Sequence, residues 1–132
     1  MTRFDDIAAD FEFLDDWDDR YKYIIDLGRT LAAFPDEYRD DHHKVRGCAS
    51  QVWLHAVEDG RSIRLLGDSD AHIVKGLVAL LIALYSGKTR QEIIDTDPVA
   101  ALASFDLDAH LTPQRSNGLH SMVNRIREIA AA

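Results

Sequence analysis

The sequence predicts an α+β domain in which a small antiparallel sheet of two to three strands packs against helices. Residues 51–58, QVWLHAVE, alternate between apolar and polar positions and are rich in β-branched and aromatic side chains, which is typical of a strand. Asp59-Gly60 favours a hairpin turn, and residues 62–68, SIRLLGD, form the returning strand. Residues 71–85 are apolar on almost every side and predict the buried helix that covers the sheet.

Two helices are predicted before the sheet. They cover residues 5–14 and 17–33, where apolar residues recur at helical spacing. The second helix ends before Pro35, because proline cannot continue the hydrogen-bond ladder and disfavours helix in the residue before it. A polar connector, residues 36–44, follows, and Val45-Arg46 is a candidate short strand.

The helices after the sheet are predicted from their caps. Gly87 is a C-cap for the buried helix, and Thr89 with Glu92 forms a capping box that opens a short helix. An Asp-Pro pair opens another helix over residues 98–104, and a last helix is expected over 116–130. The residues of the last helix expected to face inward are Leu119, Met122, Val123, Ile126 and Ile129.

The length and charge of the chain limit the number of domains and the classes of partner that we expect. A chain of 132 residues without repeats or linkers predicts one domain over residues 1–132. The net charge is −8 and no basic stripe is present, which disfavours nucleic acid and anionic membranes as partners. Residues 1–20 hold eight carboxylates, which indicate a solvated face or, alternatively, a docking surface for a basic partner.

A cytoplasmic location is expected. The first residues are acidic and lack the apolar segment of a secretory signal. A single cysteine cannot form an internal disulfide, and free thiols persist in reducing compartments. The apolar stretch at 71–85 is shorter than the roughly 20 residues that span a bilayer.

Cys48, the only cysteine, leaves two interpretations open from local sequence. Free cysteines are usually buried and inert. Three features of VRGCASQVW (45–53) favour a reactive thiol instead: Gly47 permits a turn, Ala49 and Ser50 are too small to cover the sulfur, and the segment lies between a polar connector and a strand, where loops carry reactive groups. Nearby Arg46 would in addition favour the thiolate.

The six histidines do not predict a metal site. A zinc site needs ligands at recognisable spacing, such as two histidines four residues apart on a helix or paired cysteines, and neither is present. Neighbouring His42 and His43 in an extended segment would point in opposite directions. A cysteine hydrolase would need a histidine held beside Cys48, and nothing in the sequence fixes that geometry. We expect no metal and no cofactor.

Four segments together resemble the SufE family of sulfur-acceptor proteins. They are WDDRYKYIIDLG at 17–28, GCASQVW at 47–53, LLGDSDAHIVKGLVALL at 65–81 and LTPQRSNGLHSM at 111–122. The resemblance implies a role in iron–sulfur cluster assembly and a fold similar to that of the IscU scaffold. One cysteine is too few to hold a cluster, which favours a carrier over a scaffold.

The resemblance also implies a mechanism. Cys48 would take sulfur from the persulfide of a pyridoxal-phosphate cysteine desulfurase of the SufS type and pass it to a scaffold complex of the SufBCD type. Docking would stimulate the desulfurase, with no independent turnover by this chain. CsdE-type acceptors share the pattern, so a CsdA-type desulfurase and another sulfur pathway are alternatives.

The site residues follow from the same resemblance. Asp70 and Arg115 match family positions associated with the desulfurase interaction and the surroundings of the cysteine. Four further residues complete the predicted surroundings: Arg46, Gly47, Gln51 and Trp53.

Two hypotheses concern the state of the thiol. We expect the Cys48 loop to rest inward in the free protein, covered by Val45, Val52 and Trp53, and to swing out on docking. The competing hypothesis is a binding module that regulates a desulfurase while Cys48 only packs.

Overall fold

Two helices precede the sheet. In the computed structural model, which describes residues 4–132, helix α1 spans Phe4–Glu12 and helix α2 spans Trp17–Arg29. The predicted extension of α2 to residue 33 is wrong because its last turn tightens at Thr30. The Thr30 N–H donates to the carbonyl of Leu27, three residues back, and its hydroxyl donates to the same carbonyl at 2.6 Å.

Three strands form the sheet, which confirms the predicted α+β class. Strand β1 (Val52–Asp59) pairs antiparallel with β2 (Ser62–Ser69) along its full length, and Gly60 in the turn has a φ of 66°. A two-residue strand β3 (Lys88–Thr89) pairs with the start of β2, giving the order β1-β2-β3. β2 therefore has a neighbour on its outer edge only at its first residues.

Helix α3 (His72–Tyr85) is the buried helix predicted from the sequence and packs against the sheet and α2. A Cβ added at Gly76 would lie 2.1 Å from the carbonyl oxygen of Ile24, so the backbones of α2 and α3 are in direct contact there. Ser86 caps α3, and Gly87, with a φ of 86°, turns the chain into β3. Among residues 4–132, no helix is both long enough and apolar enough to cross a membrane.

Short helices follow β3. Helix α4 (Arg90–Asp95) begins with the predicted capping box, since Thr89 and Glu92 bond each other's backbone N–H. Helix α5 (Pro98–Leu102) ends before the predicted residue 104, because a tighter 3-10 turn continues over Ala103–Phe105. Helix α6 (Leu107–His110) was not expected.

The last helix, α7 (Pro113–Ala131), begins three residues before the predicted start at residue 116. Thr112 is its N-cap, accepting from the Arg115 N–H at 3.3 Å, and Pro113 occupies the first turn. Four of the five predicted inward residues are buried, whereas Ile129 is only half-buried and Ala130 is buried beside it.

The connector, residues 36–44, covers the outer face of the sheet. The Tyr38 ring stacks on His55 of β1 with 3.7 Å between ring centroids. The Arg39 guanidinium pairs with the buried Asp68 at 2.6 Å and lies 5.3 Å from the ring centroid of Trp53. The predicted strand at residues 45–46 is wrong: the connector makes a single bridge to the sheet, between Lys44 and Trp53.

Candidate functional site

Residues 46–51, here called the cysteine loop, are held at both ends by the sheet. At the start, the Val45 N–H donates to the Val52 carbonyl at 2.8 Å. At the end, the Gln51 N–H donates to the Asp70 carboxylate at 3.0 Å, and the Asp70 N–H donates back to the Gln51 carbonyl at 3.3 Å. Asp70, which the family resemblance singled out, therefore positions the far end of the loop.

Gly47 turns the loop as the sequence predicts. Its φ is +90°, a conformation that L side chains rarely adopt. A Cβ at this position would also lie 2.5 Å from the Oγ of Ser121 on α7. The resting shape of the loop depends on glycine for both reasons.

The turn directs Cys48 inward. The thiol is half-buried, and its Sγ lies 3.6 Å from the carbonyl oxygen of Gly118 on α7. A Cβ added at Gly118 would stand 3.5 Å from Sγ, an ordinary van der Waals distance, so the sulfur packs directly against the helix at this glycine. The expectation that Ala49 and Ser50 leave the thiol open to solvent is therefore only partly met.

A cavity of about 220 Å³ adjoins the thiol. Its walls come from the cysteine loop, from α3 and from the first turns of α7. The lining residues are Cys48, Ala49, Ser50, Val74, Leu77, Thr112, Gln114, Arg115, Gly118 and Met122. The fold thus brings Cys48 and Arg115, two predicted site residues, to one cavity.

The predicted apolar cover of the thiol is wrong. Val45 and Val52 are buried in the core beside the sheet, and Trp53 contacts Arg39 on the outer face of the sheet. None of these three lines the cavity. The apolar contacts come instead from α3 and α7, because the loop folds toward the helices.

Burial controls the ionisation of Cys48. It raises the pKa of the thiol above its ordinary value, because a thiolate would lose solvation in the cavity. The expected help from Arg46 is not found: this residue is exposed, and burial is the cause of the shift. At neutral pH the resting loop therefore holds the thiol in its protonated, weakly nucleophilic form.

On the α7 side of the site, sequence reasoning identified Arg115 but missed Gly118 and Ser121. Gly118 and Ser121 lie 70 residues or more after the loop they contact. One signal was available for Gly118, since a glycine inside a predicted helix costs stability and usually marks close packing.

The histidines of the connector and β1 are packed rather than gathered into a metal site. His43 Nδ1 lies 2.8 Å from Asp40 Oδ1, and His55 stacks on Tyr38. Burial, followed by the neighbouring His43, lowers the pKa of His55. In the described part of the chain, no group of three or more His, Cys, Asp or Glu side chains could hold a metal ion.

A protein-family model described as "SufE: Fe-S metabolism associated domain" matches residues 5–130. The chain belongs to the SufE family. A relative from Rhizobium meliloti (strain 1021), named an uncharacterized SufE-like protein, is 48% identical over 134 aligned positions that cover 98% of this chain and 96% of the relative. A second, from Rhizobium etli, is 51% identical over 98% of this chain and 90% of its own length. The resemblance inferred from four short segments is thereby confirmed.

A solved structure supports the fold of this SufE-family protein. The solution structure of a hypothetical protein from Thermus thermophilus aligns with a TM-score of 0.77, covering 97% of this chain and 93% of that one. The sequence identity is 19%, so this likeness concerns the fold.

Proposed function

We propose that this SufE-family protein is a sulfur carrier. In this proposal Cys48 accepts a sulfur atom from a pyridoxal-phosphate cysteine desulfurase of the SufS type and delivers it to an iron–sulfur cluster scaffold of the SufBCD type. One observation carries the proposal: the only thiol of the chain lies on a tethered loop and faces a cavity of about 220 Å³. A water molecule takes up about 30 Å³ of liquid volume, so the cavity has room for one more sulfur atom.

The proposed transfer is a thiol exchange reaction. The Cys48 thiolate attacks the outer sulfur of the donor persulfide, a new sulfur–sulfur bond forms on Cys48, and the donor cysteine leaves as a thiolate. The donor thiolate takes up the proton that Cys48 loses, so no oxidant or reductant is consumed. A single cysteine suits this task, because a second thiol nearby would release the sulfur by forming a disulfide.

The resting loop suits a carrier that must protect its cargo. The inward position lowers the fraction of thiolate, and it would shield a persulfide from other thiols in the cell. In the proposal, docking moves the loop outward and restores the ordinary pKa of Cys48. Asp70 anchors the end of the cysteine loop at Gln51, and Arg115 lines the cavity in which the persulfide would rest.

Docking is also proposed to stimulate the desulfurase, without turnover by this chain alone. A CsdA-type desulfurase is the alternative donor. A free thiol persists under reducing conditions, so the cytoplasm is the proposed location.

The decisive experiment is intact mass spectrometry after incubation with a SufS-type desulfurase and cysteine, with a parallel CsdA-type reaction. We expect a mass increase of one sulfur atom that a reductant reverses and that Cys48→Ser abolishes. An unchanged mass with both desulfurases, under conditions in which they consume cysteine, would contradict the carrier function.

The competing function is a regulatory binding module, which the half-buried, protonated state of Cys48 favours. A module would stimulate cysteine consumption equally well as Cys48→Ser. A carrier would lose the part of the stimulation that depends on removing sulfur from the desulfurase.

A further inference from the structure

The outer edge of β2 has main-chain groups that the fold leaves open. On the opposite edge of the sheet, the Leu54 N–H donates to the His43 carbonyl at 3.0 Å, so the main-chain groups of Leu54 point away from β2. Gly67 is the residue directly opposite Leu54. In an antiparallel ladder such a pair does not bond across the strands, so the N–H and carbonyl of Gly67 point outward as well.

Leu65 follows the same alternation. Its N–H points to the outer edge, where it donates to Ser86 Oγ at 2.9 Å. Beyond that bond the edge is unpaired: no residue of the described range 4–132 donates to the Leu65 or Gly67 carbonyl or accepts from the Gly67 N–H. Both residues are largely buried, and they are reached through the groove that they line. β3 cannot fill this stretch, because it pairs only with Ser62 and Ile63.

A groove of about 720 Å³ lies along this open edge. One side is β2 from Arg64 to Gly67, the opposite side is the end of α2 with Leu27 and Leu31, and α3 contributes Ile82 and Ala83. The volume falls within the range of about 300–1,000 Å³ that is usual for binding sites. The lining is mainly apolar with unpaired main-chain groups on one side, which matches the chemistry of an extended peptide.

Charge at the rim specifies the occupant further. Two exposed charged side chains line the groove, Asp6 of α1 and Arg64 of β2, and neither forms an ion pair with a residue of the described chain. An acidic side chain on the peptide is therefore favoured next to Arg64 and disfavoured next to Asp6. A second copy of this protein does not suit the groove. If two copies paired through their β2 edges, the end of α2 that lines the groove of one copy would occupy the same space as the end of α2 of the other copy.

We propose that the open edge of β2 binds an extended segment of a partner protein, with alternating apolar residues and an acidic residue near Arg64, by β-strand addition. The peptide main chain bonds to Gly67 and to the Leu65 carbonyl, and its apolar side chains contact α2 and α3. The groove shares no lining residue with the Cys48 cavity, so this site is distinct from the proposed carrier function.

The first test uses the free protein. Amide hydrogen exchange measured by NMR should show the Gly67 N–H exchanging faster than the Leu66 N–H, which bonds across to β1. Equal protection of the two amides would mean that the edge is already satisfied, and would overturn the proposal.

The second test uses random linear peptides displayed on phage and selected against the full-length protein. We expect enriched peptides to slow exchange of the Gly67 N–H and to contain acidic residues. Ala83→Arg, which fills the groove, should weaken their binding by about tenfold or more. Ala100→Arg, at an exposed position of α5, is the matched control and should change nothing.

A charge reversal at Arg64 provides an independent test that does not depend on Ala83→Arg folding correctly. Selection against Arg64→Glu should enrich peptides in which basic residues replace the acidic ones. The proposal is overturned if no peptide is enriched, if Ala83→Arg and Ala100→Arg bind the peptides equally, or if the edge proves to pair with a second copy.

Discussion

The glycine that turns the cysteine loop offers a direct test of how the loop is held. Gly47→Ala would place an L residue at φ +90°, which costs about 1–2 kcal/mol in a left-handed conformation. The added Cβ would also lie 2.5 Å from Ser121 Oγ. Both penalties act on the inward loop and are relieved when the loop opens.

A penalty of about 1–2 kcal/mol changes an equilibrium by a factor of about 5–30. Because alkylation requires the open loop, the backbone penalty alone should accelerate reaction of Cys48 with iodoacetamide by about 5–30-fold, and the Ser121 contact should raise the acceleration in Gly47→Ala further. The rate is measured by intact mass spectrometry on the native protein. Adding Ser121→Ala removes the Oγ contact and leaves the backbone penalty, so the double variant should fall between wild type and Gly47→Ala.

Gly87→Ala is the matched control. Its φ is +86°, and no atom lies within 4 Å of an added Cβ, so it carries a similar backbone penalty away from the loop. It should lower the free energy of unfolding without accelerating alkylation. Equal acceleration in both glycine variants would assign the reaction to global unfolding, and a wild-type rate for Gly47→Ala would show that this turn does not hold the loop inward.

Three further predictions concern ionisation and packing. Burial raises the pKa of Cys48, so the rate of alkylation should reach its midpoint at a higher pH in the native protein than in the urea-unfolded chain; coincident midpoints would refute this. Asp68→Asn should lower the free energy of unfolding by about 2–3 kcal/mol at neutral pH, as followed by urea denaturation, whereas Asp26→Asn, in an exposed pair, should have little effect. Burial alone would raise the pKa of Asp68, but hydrogen bonds from Arg39, from the next backbone N–H and from Lys75 outweigh it and lower the pKa. The stabilisation is therefore present above the unfolded-state pKa and is lost as the pH falls through the folded-state pKa, so wild type and Asp68→Asn should converge in acid; a constant difference would contradict this origin. Gly76→Ala should destabilise by about 1–3 kcal/mol despite the better helix propensity of alanine, because its Cβ meets the Ile24 backbone; an unchanged urea midpoint would refute direct backbone contact.

Local patterns were sufficient to predict most of the fold. The hairpin around Gly60 and the apolar helix α3 depend on residues close together in the chain, so alternation and periodicity identify them. Helix ends were less accurate. The start of α7 lies before its apolar periodicity begins, and it is marked instead by Thr112 and Pro113, which together form a capped first turn.

The candidate site likewise has features that the local sequence predicts and features that depend on residues far apart in the chain. The turn at Gly47 could be predicted because its backbone requirement belongs to one residue. The cavity wall could not, since Gly118 reaches Cys48 only through the packing of α7 against α3 and α4. Trp53, close to Cys48 in sequence, lies on the other face of the sheet because successive residues of a strand point to opposite faces, and its neighbours Val52 and Leu54 point inward.

The hydrogen bond between Val45 and Val52 limits how far the cysteine loop can move. Cys48 is three residue steps along the chain from Val45, and an extended chain covers about 3.3–3.6 Å per residue, so the Cα of Cys48 can lie at most about 10–11 Å from that anchor. In the proposed sulfur transfer, the donor or acceptor sulfur must therefore come within this radius of the end of the sheet, plus the length of one side chain. A reactive sulfur at the bottom of a channel that is deeper than this reach and too narrow for the protein would not be accessible to Cys48. A sulfur in an open cleft that admits the cysteine loop, with the adjoining ends of β1 and β2, would be accessible.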